Sequence, residues 1–138
     1  MNVVFADTSY WIALLNPKDN HHSNALALSK IFGKGSIVTS ELVLTELLNA
    51  FARFGPRVRK AACDLVDEIH ANAEVVPMTT ARFAKAVELY RSRLDKKWSL
   101  TDCASFQIMK SMSISEALST DADFVQAGFQ ALLAQRLG

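Results

Sequence analysis

Four acidic residues stand where a freely solvated carboxylate is not expected. Asp7 closes the apolar run Val3-Val4-Phe5-Ala6, and Glu46 lies inside the apolar segment 40–54. Asp102 opens a mostly apolar stretch, and Asp121 follows Ile114–Ser119. Carboxylates gathered in one place repel each other, and a hard divalent cation with oxygen ligands is the usual relief. Such a cation acidifies water and stabilises charge on a scissile phosphate. Asp7, Glu46, Asp102 and Asp121 therefore point to a metal-dependent phosphodiester enzyme, a nuclease.

Each acid also has a plain structural role to weigh. Asp7 suits the N-cap of the helix that follows it, and capping and chemistry stand about level there. Ser99-Leu100-Thr101-Asp102 fits a capping box, which accounts for Asp102 on its own. Asp121 lies in the turn Ser119-Thr120-Asp121-Ala122-Asp123 and can cap a short helix; Asp123 is its plain structural partner there or else a second candidate for the site acid. Glu46 has the weakest structural alternative. Its helical neighbours are Leu42, Val43, Asn49 and Ala50, so it borders an apolar stripe with no basic partner three or four residues away.

The elements that must position these acids follow from periodicity and stop signals. Residues 2–6 read as a buried strand, 8–15 as a helix ended by Asn16-Pro17, and Asp19 or Asn20 as the cap of a helix running to Gly33 and Gly35. A strand at 36–39 precedes an apolar helix from Ser40 to Gly55, and Pro56 suits the first turn of the next helix, 57–72. Then come a strand at 74–78, a helix from Thr79 or Thr80 to about Lys97, a helix at 101–112, a strand at 114–119, a short helix at 122–127 and a possible strand at 129–133. Strands alternating with helices imply an α/β three-layer sandwich, its central, mainly parallel sheet of four to five strands flanked by helices. Ligands bind beyond the carboxyl ends of such strands, where Asp7 and Asp121 fall.

The bulk numbers narrow the setting. A chain of 138 residues, half hydrophobic and 21% charged, is expected to form a single domain, 1–138, with one core. A net charge of +1 excludes a scaffold that coats nucleic acid through bulk charge, though not a local basic rim. Cys63 and Cys103 suggest no disulfide framework. No stretch has the roughly 20 apolar residues of a membrane span, and the N-terminus lacks a signal-peptide pattern. Cytoplasmic residence is the expectation.

Four segments together carry a resemblance: Phe5-Ala6-Asp7-Thr8-Ser9, Thr45-Glu46-Leu47-Leu48, Trp98-Ser99-Leu100-Thr101-Asp102-Cys103-Ala104-Ser105-Phe106, and Ala117-Leu118-Ser119-Thr120-Asp121-Ala122-Asp123-Phe124. In that order the chain resembles a PIN domain, specifically the VapC-type toxins of bacterial toxin–antitoxin pairs. The resemblance implies a Mg²⁺- or Mn²⁺-dependent endoribonuclease, dimeric and inhibited by an antitoxin from the neighbouring gene. It places the acidic quartet on Asp7, Glu46, Asp102 and Asp121, with Thr8 and Thr120 in supporting positions. Members commonly carry a His or basic residue two positions after the last acid; here that position is Asp123.

An acidic centre repels RNA, so cations must flank it. The candidates are Arg53, the cluster Arg57, Arg59 and Lys60, and Lys96-Lys97, though any single one of them reads better as a solvated residue of a helix face or end. Trp98 suits packing better than base stacking, and His21-His22 suit a surface role. Leu44, Leu48, Phe51, Phe54 and Val58 offer more apolar surface than one sheet face needs, which suits a homodimer seam or an antitoxin groove as well as plain core.

Three other classes compete. An aspartyl-phosphate phosphatase wants a second acid at position 9, which is Ser9. No GxGxxG follows the first strand, which excludes a dinucleotide site. A catalytically silent PIN-fold module that binds RNA or a protein partner is the remaining alternative.

Overall fold

A computed structural model describes residues 2–134; the ends of the expected single domain, Met1 and 135–138, lie outside the described residues. The apolar run after Asn2 forms β1 (Val4–Ala6), fully buried as a strand covered on both faces must be. Asp7 turns the chain into α1 (Thr8–Leu15), and α2 (His22–Ile31) returns it to β2 (Ile37–Ser40). Ser40 Oγ then accepts the Val43 amide and caps α3 (Glu41–Ala50). The chain continues through α4 (Gly55–Asn72), β3 (Glu74–Val76), α5 (Thr80–Ser92), α6 (Leu100–Ser111), β4 (Glu116–Leu118), α7 (Ala122–Gln126) and β5 (Gln130–Ala131).

All four strand pairings are parallel, and the sheet order is β3-β2-β1-β4-β5. Right-handed crossovers then place α1–α4 on one face and α5–α7 on the other. The packing agrees, with α1 against α2, α3 and α4, and α6 against α5 and α7. The α/β three-layer expectation holds, with five strands. Successive strands leave β1 in opposite directions, so the topology switches between β1 and β4, where an open parallel sheet forms its ligand crevice.

Several boundaries differ from the sequence expectation. α3 stops at Ala50 rather than Gly55, because the next amides tighten to i→i+3 bonds: Phe51 to Leu48, Ala52 to Asn49 and Phe54 to Phe51, at 3.2–3.3 Å. Gly55, at φ +86°, makes the sharp entry into α4. α5 stops at Ser92 rather than Lys97, where Arg93 turns back to pair with Asp95 at 3.0 Å. Asp19 does not cap α2. Its carboxylate accepts the His21 amide at 2.8 Å and shapes the preceding turn.

A chain of edge-on aromatic contacts fixes the second helical layer. Phe106 on α6 lies 5.0 Å from Trp98 and 5.0 Å from Phe124 on α7, both ring planes steeply crossed, and 5.8 Å from Phe129. Trp98 precedes the α6 cap and Phe124 follows Asp123, so this cluster sets the distance between the acids of α6 and α7. Trp98 is 7% exposed and packs, as expected. His21 and His22 are half-buried, and His22 Nδ1 lies 2.7 Å from the Ala13 carbonyl, joining α2 to α1 rather than standing free on the surface.

Candidate active site

β1 and β4 lie side by side with Phe5 opposite Ala117 and Ala6 opposite Leu118. The next residue on each strand, Asp7 and Ser119, is therefore also a neighbour at the carboxyl edge. The Asp7 amide donates to the Leu118 carbonyl at 3.1 Å and extends the ladder by one step. An open cavity of about 650 Å³ lies beyond this edge, lined by Asp7, Thr8, Glu46, Lys97, Asp102, Thr120, Asp121 and Asp123, among others.

Asp7 occupies the N-cap position of α1 but its side chain makes no capping bond. Its Oδ2 instead accepts Ser119 Oγ at 2.9 Å and Ser9 Oγ at 3.1 Å. The residue is 6% exposed. Burial raises its pKa above the ordinary carboxylate value; donation from Ser119 and Ser9 opposes the rise, and the Glu46 charge adds to it.

Glu46 corrects one expectation. Its carboxylate is not sealed against the core; it is half-buried at the cavity, and Oε1 accepts Thr8 Oγ1 at 2.7 Å. The stripe around it is discontinuous, since Val43, Leu44 and Leu47 are buried while Leu48, Asn49 and Ala50 are exposed. Solvation and a hydroxyl donor remove the cost that an unpaired buried carboxylate would carry.

Asp102 does complete the capping box. Its Oδ2 accepts the Ser99 amide at 3.1 Å and Ser99 Oγ accepts the Asp102 amide at 3.0 Å. The box does not exhaust its role, because the carboxyl also faces the cavity. Burial pushes it up to about 7, despite the Ser99 donation, and the charges of Asp7 and Asp121 push in the same direction. Asp121 caps α7, its Oδ1 accepting the Asp123 amide at 2.9 Å.

Asp102, Asp121 and Asp123 each place one carboxylate oxygen within 4.8 Å of the other two. Asp123 therefore joins Asp121 in the cluster. Burial raises the Asp123 pKa, Asp121 adds to the rise, and the Lys96 charge opposes it. Three clustered hard oxygen donors, with Asp7 and Glu46 on the same cavity, fit Mg²⁺ or Mn²⁺ by donor chemistry.

Ser9 and Ser119 were not singled out from the sequence, which drew attention to Thr8 and Thr120. The hydroxyl on Asp7 belongs to Ser119, one residue before Thr120, and Ser119 Oγ also accepts the Asp121 amide at 3.0 Å. Thr120 contributes its amide, which donates to Ser9 Oγ at 3.0 Å. The available signal was weak, a serine directly after Ala117-Leu118 at the end of a strand that also carries Glu116.

The cations divide between places. Lys97 lines the acidic cavity. Arg53 lines a second cavity with Arg59 and Lys60, and Arg57 is exposed nearby on α4. Of the apolar candidates, Leu44 and Phe51 belong to the core and Val58 is half-buried, while Leu48 is 38% and Phe54 62% exposed.

Residues 4–130 match the family model of the PIN domain. The chain is 33% identical over 132 residues to the 23S rRNA-specific endonuclease VapC20 of Mycobacterium tuberculosis, covering 92% of this chain and 95% of the relative. The crystal structure of that protein, described as a Sarcin-Ricin loop cleaving toxin, superposes with a TM-score of 0.81 at 31% identity over 91% of this chain and 95% of the other. FitAcB from Neisseria gonorrhoeae shares the fold at a TM-score of 0.69 and 15% identity, over 94% of this chain and 95% of the other. PAE2754 from Pyrobaculum aerophilum does so at 0.64 and 16%, over 97% of each.

Proposed function

The chain belongs to the PIN-domain family, and from that premise we propose that it is a VapC-type toxin, an endoribonuclease that hydrolyses RNA with Mg²⁺ or Mn²⁺. The observation that carries this reading is the gathering of Asp7, Glu46, Asp102, Asp121 and Asp123 around one open cavity at the switch point of the sheet. Asp102, Asp121 and Asp123, with Asp7, would hold the cation. When bound, it supplies Lewis-acid stabilisation of phosphoryl charge and acidifies water.

The chain's own residues do the rest. Ser119 and Ser9 occupy Oδ2 of Asp7 and fix the orientation of its carboxylate. Thr8 holds Oε1 of Glu46, which leaves Oε2 to take the proton of the attacking water. The water oxygen bonds to phosphorus, the bond from phosphorus to the leaving ribose oxygen breaks, and that oxygen takes up a proton. Thr120 supports the turn through its amide. Lys97 is the cation placed to meet a substrate phosphate at the acidic cavity; Arg53 and Arg57 are assigned to RNA farther out.

The relative's substrate makes ribosomal RNA the first one to try. The same family assignment supports one PIN-like domain, a cytoplasmic setting, a homodimer and a cognate antitoxin. Leu26 and Ile31 on α2 and Leu48 on α3, standing 42%, 67% and 38% exposed, are the apolar surface such partners would cover. No helix among the described residues is long and apolar enough to cross a membrane.

Purified protein incubated with ribosomal RNA and with RNA hairpins provides the test. Cleavage should require Mg²⁺ or Mn²⁺, stop with EDTA, and be lost in Asp7→Asn and Asp102→Asn. Cleavage that persists in EDTA would overturn the metal mechanism.

A further inference from the structure

We infer that the cavity at the α3–α4 turn is a second RNA-binding site, a phosphate exosite separate from the acidic centre. The inference rests on the ribonuclease reading and extends it. This cavity, about 540 Å³, is lined by Arg53, Arg59 and Lys60 together with Gly55 and Pro56, and no acid among the described residues lines it. The acidic cavity has the opposite balance, five carboxylates against Lys97 alone among the described residues. A polyanion is repelled where it must react, so its attraction has to be supplied by phosphates held elsewhere on the same surface.

Three further features make this a site rather than scattered surface charge. Arg53 and Arg59 come from different segments, the turn after α3 and the second turn of α4, and converge on one concavity. α4 begins there, and its N-cap, Phe54, offers no side-chain cap, so the positive end of an 18-residue helix faces the cations' neighbourhood. Lys60 is held by Asp64 at 3.0 Å, which leaves the two arginines as the forked donors suited to phosphate oxygens.

Phe54 decides between kinds of partner. It adjoins Arg53 in the chain and is 62% exposed. An aromatic face interleaved with cations suits a nucleotide strand, with a base stacked beside held phosphates, better than it suits an acidic peptide. The placement also suits one continuous substrate. Glu46 and Arg53 are seven residues apart along α3 and its terminal turn, on the order of 10 Å by helical rise, a span of a few nucleotides.

The test measures binding of a fluorescein-labelled RNA hairpin with single-stranded flanks, in EDTA, across a chloride titration, for wild type and Arg53→Gln/Arg59→Gln. Both arginines are exposed, so the fold should tolerate the change; unchanged circular dichroism and melting would verify it. The variant should bind roughly 10- to 30-fold more weakly, and its slope of log affinity against log salt should shrink by about 1.4, or about 0.7 per lost phosphate contact. Phe54→Ala should weaken binding without changing the slope. Equal affinity and slope in variant and wild type, with the wild type still cleaving RNA when Mg²⁺ is added, would overturn the exosite alone. No cleavage of any RNA by the wild type would overturn the ribonuclease reading and the exosite with it. If the variant instead loses only binding of polyglutamate, the cavity docks an acidic protein segment and the RNA assignment falls.

Discussion

Ser119 Oγ donates to Asp7 Oδ2 at 2.9 Å, joining the ends of two strands that are 112 residues apart in the chain. The same oxygen accepts the Asp121 amide at 3.0 Å, so one hydroxyl ties Asp7 to the turn that carries Asp121. Ser119→Ala leaves a buried carboxylate short of one donor and a half-buried amide unpaired. The expected loss is about 1–3 kcal/mol of unfolding free energy, read as a lower urea midpoint at unchanged slope, with a smaller Mg²⁺-induced rise in melting temperature. An unchanged midpoint would show that the contact is incidental.

Thr8 and Glu46 form the other cross-element contact, at 2.7 Å between α1 and α3. Thr8→Val keeps the shape and removes the donor. Stability should change by no more than about 1 kcal/mol because Glu46 remains solvated, whereas kcat should fall on the order of tenfold from a misplaced proton acceptor. Steady-state kinetics on a hairpin substrate separate the two effects. A change confined to KM would remove Glu46 orientation as the role of Thr8.

The acidic cluster sets a pH dependence of the metal-free fold. Asp102 titrates near 7 in the folded chain against an ordinary 3.8, and Asp7 and Asp123 shift in the same direction. Between those values the folded chain keeps a proton that the unfolded chain has lost, so the stabilisation is complete below 3.8 and disappears as pH rises through about 7. In EDTA the melting temperature should therefore fall across that window. Asp102→Asn should flatten the curve and melt higher at the alkaline end, since its amide can still accept from Ser99. A flat wild-type profile would contradict a raised pKa for the buried Asp102.

Cation binding should reverse that trend, because a bound cation favours the ionised form of carboxyls that burial and their neighbours hold protonated, and so is linked to proton release. Mg²⁺ or Mn²⁺ should raise the melting temperature at neutral pH. Asp121→Asn and Asp123→Asn should each weaken metal affinity by about tenfold or more, the first because it lies nearest the β4 edge and the second because its oxygen shares the cluster. If calorimetric titration finds Asp123→Asn unchanged, Asp121 completes the site without it.

The order of helices and strands, their parallel pairing and the presence of acids at strand ends were all readable from the chain, because caps, apolar periodicity and turn residues act over a few positions. Asp102 illustrates both the reach and the limit of such signals. Its capping box was visible in Ser99-Leu100-Thr101-Asp102 and is present, but only the acidic cavity and the carboxylates of Asp121 and Asp123 beside it show that the carboxyl has more around it than a cap. Glu46 shows a local pattern misleading: helical spacing placed it against an apolar stripe, and the tertiary structure left that side of α3 open to the cavity.

What the sequence by itself determined was the inventory: an α/β chain carrying carboxylates at the carboxyl ends of its strands, with cations scattered among its helices. Only the tertiary structure decided the neighbours. Strand order is a choice among non-local pairings whose energies no single segment contains, and here it sets β4 beside β1. That placement brings Ser119 to Asp7 and gathers Asp102, Asp121 and Asp123 within reach of one another. Tertiary structure also decided which of the candidate cations meets the acids: Lys97 lines the acidic cavity, whereas Arg53 and Arg59 line another.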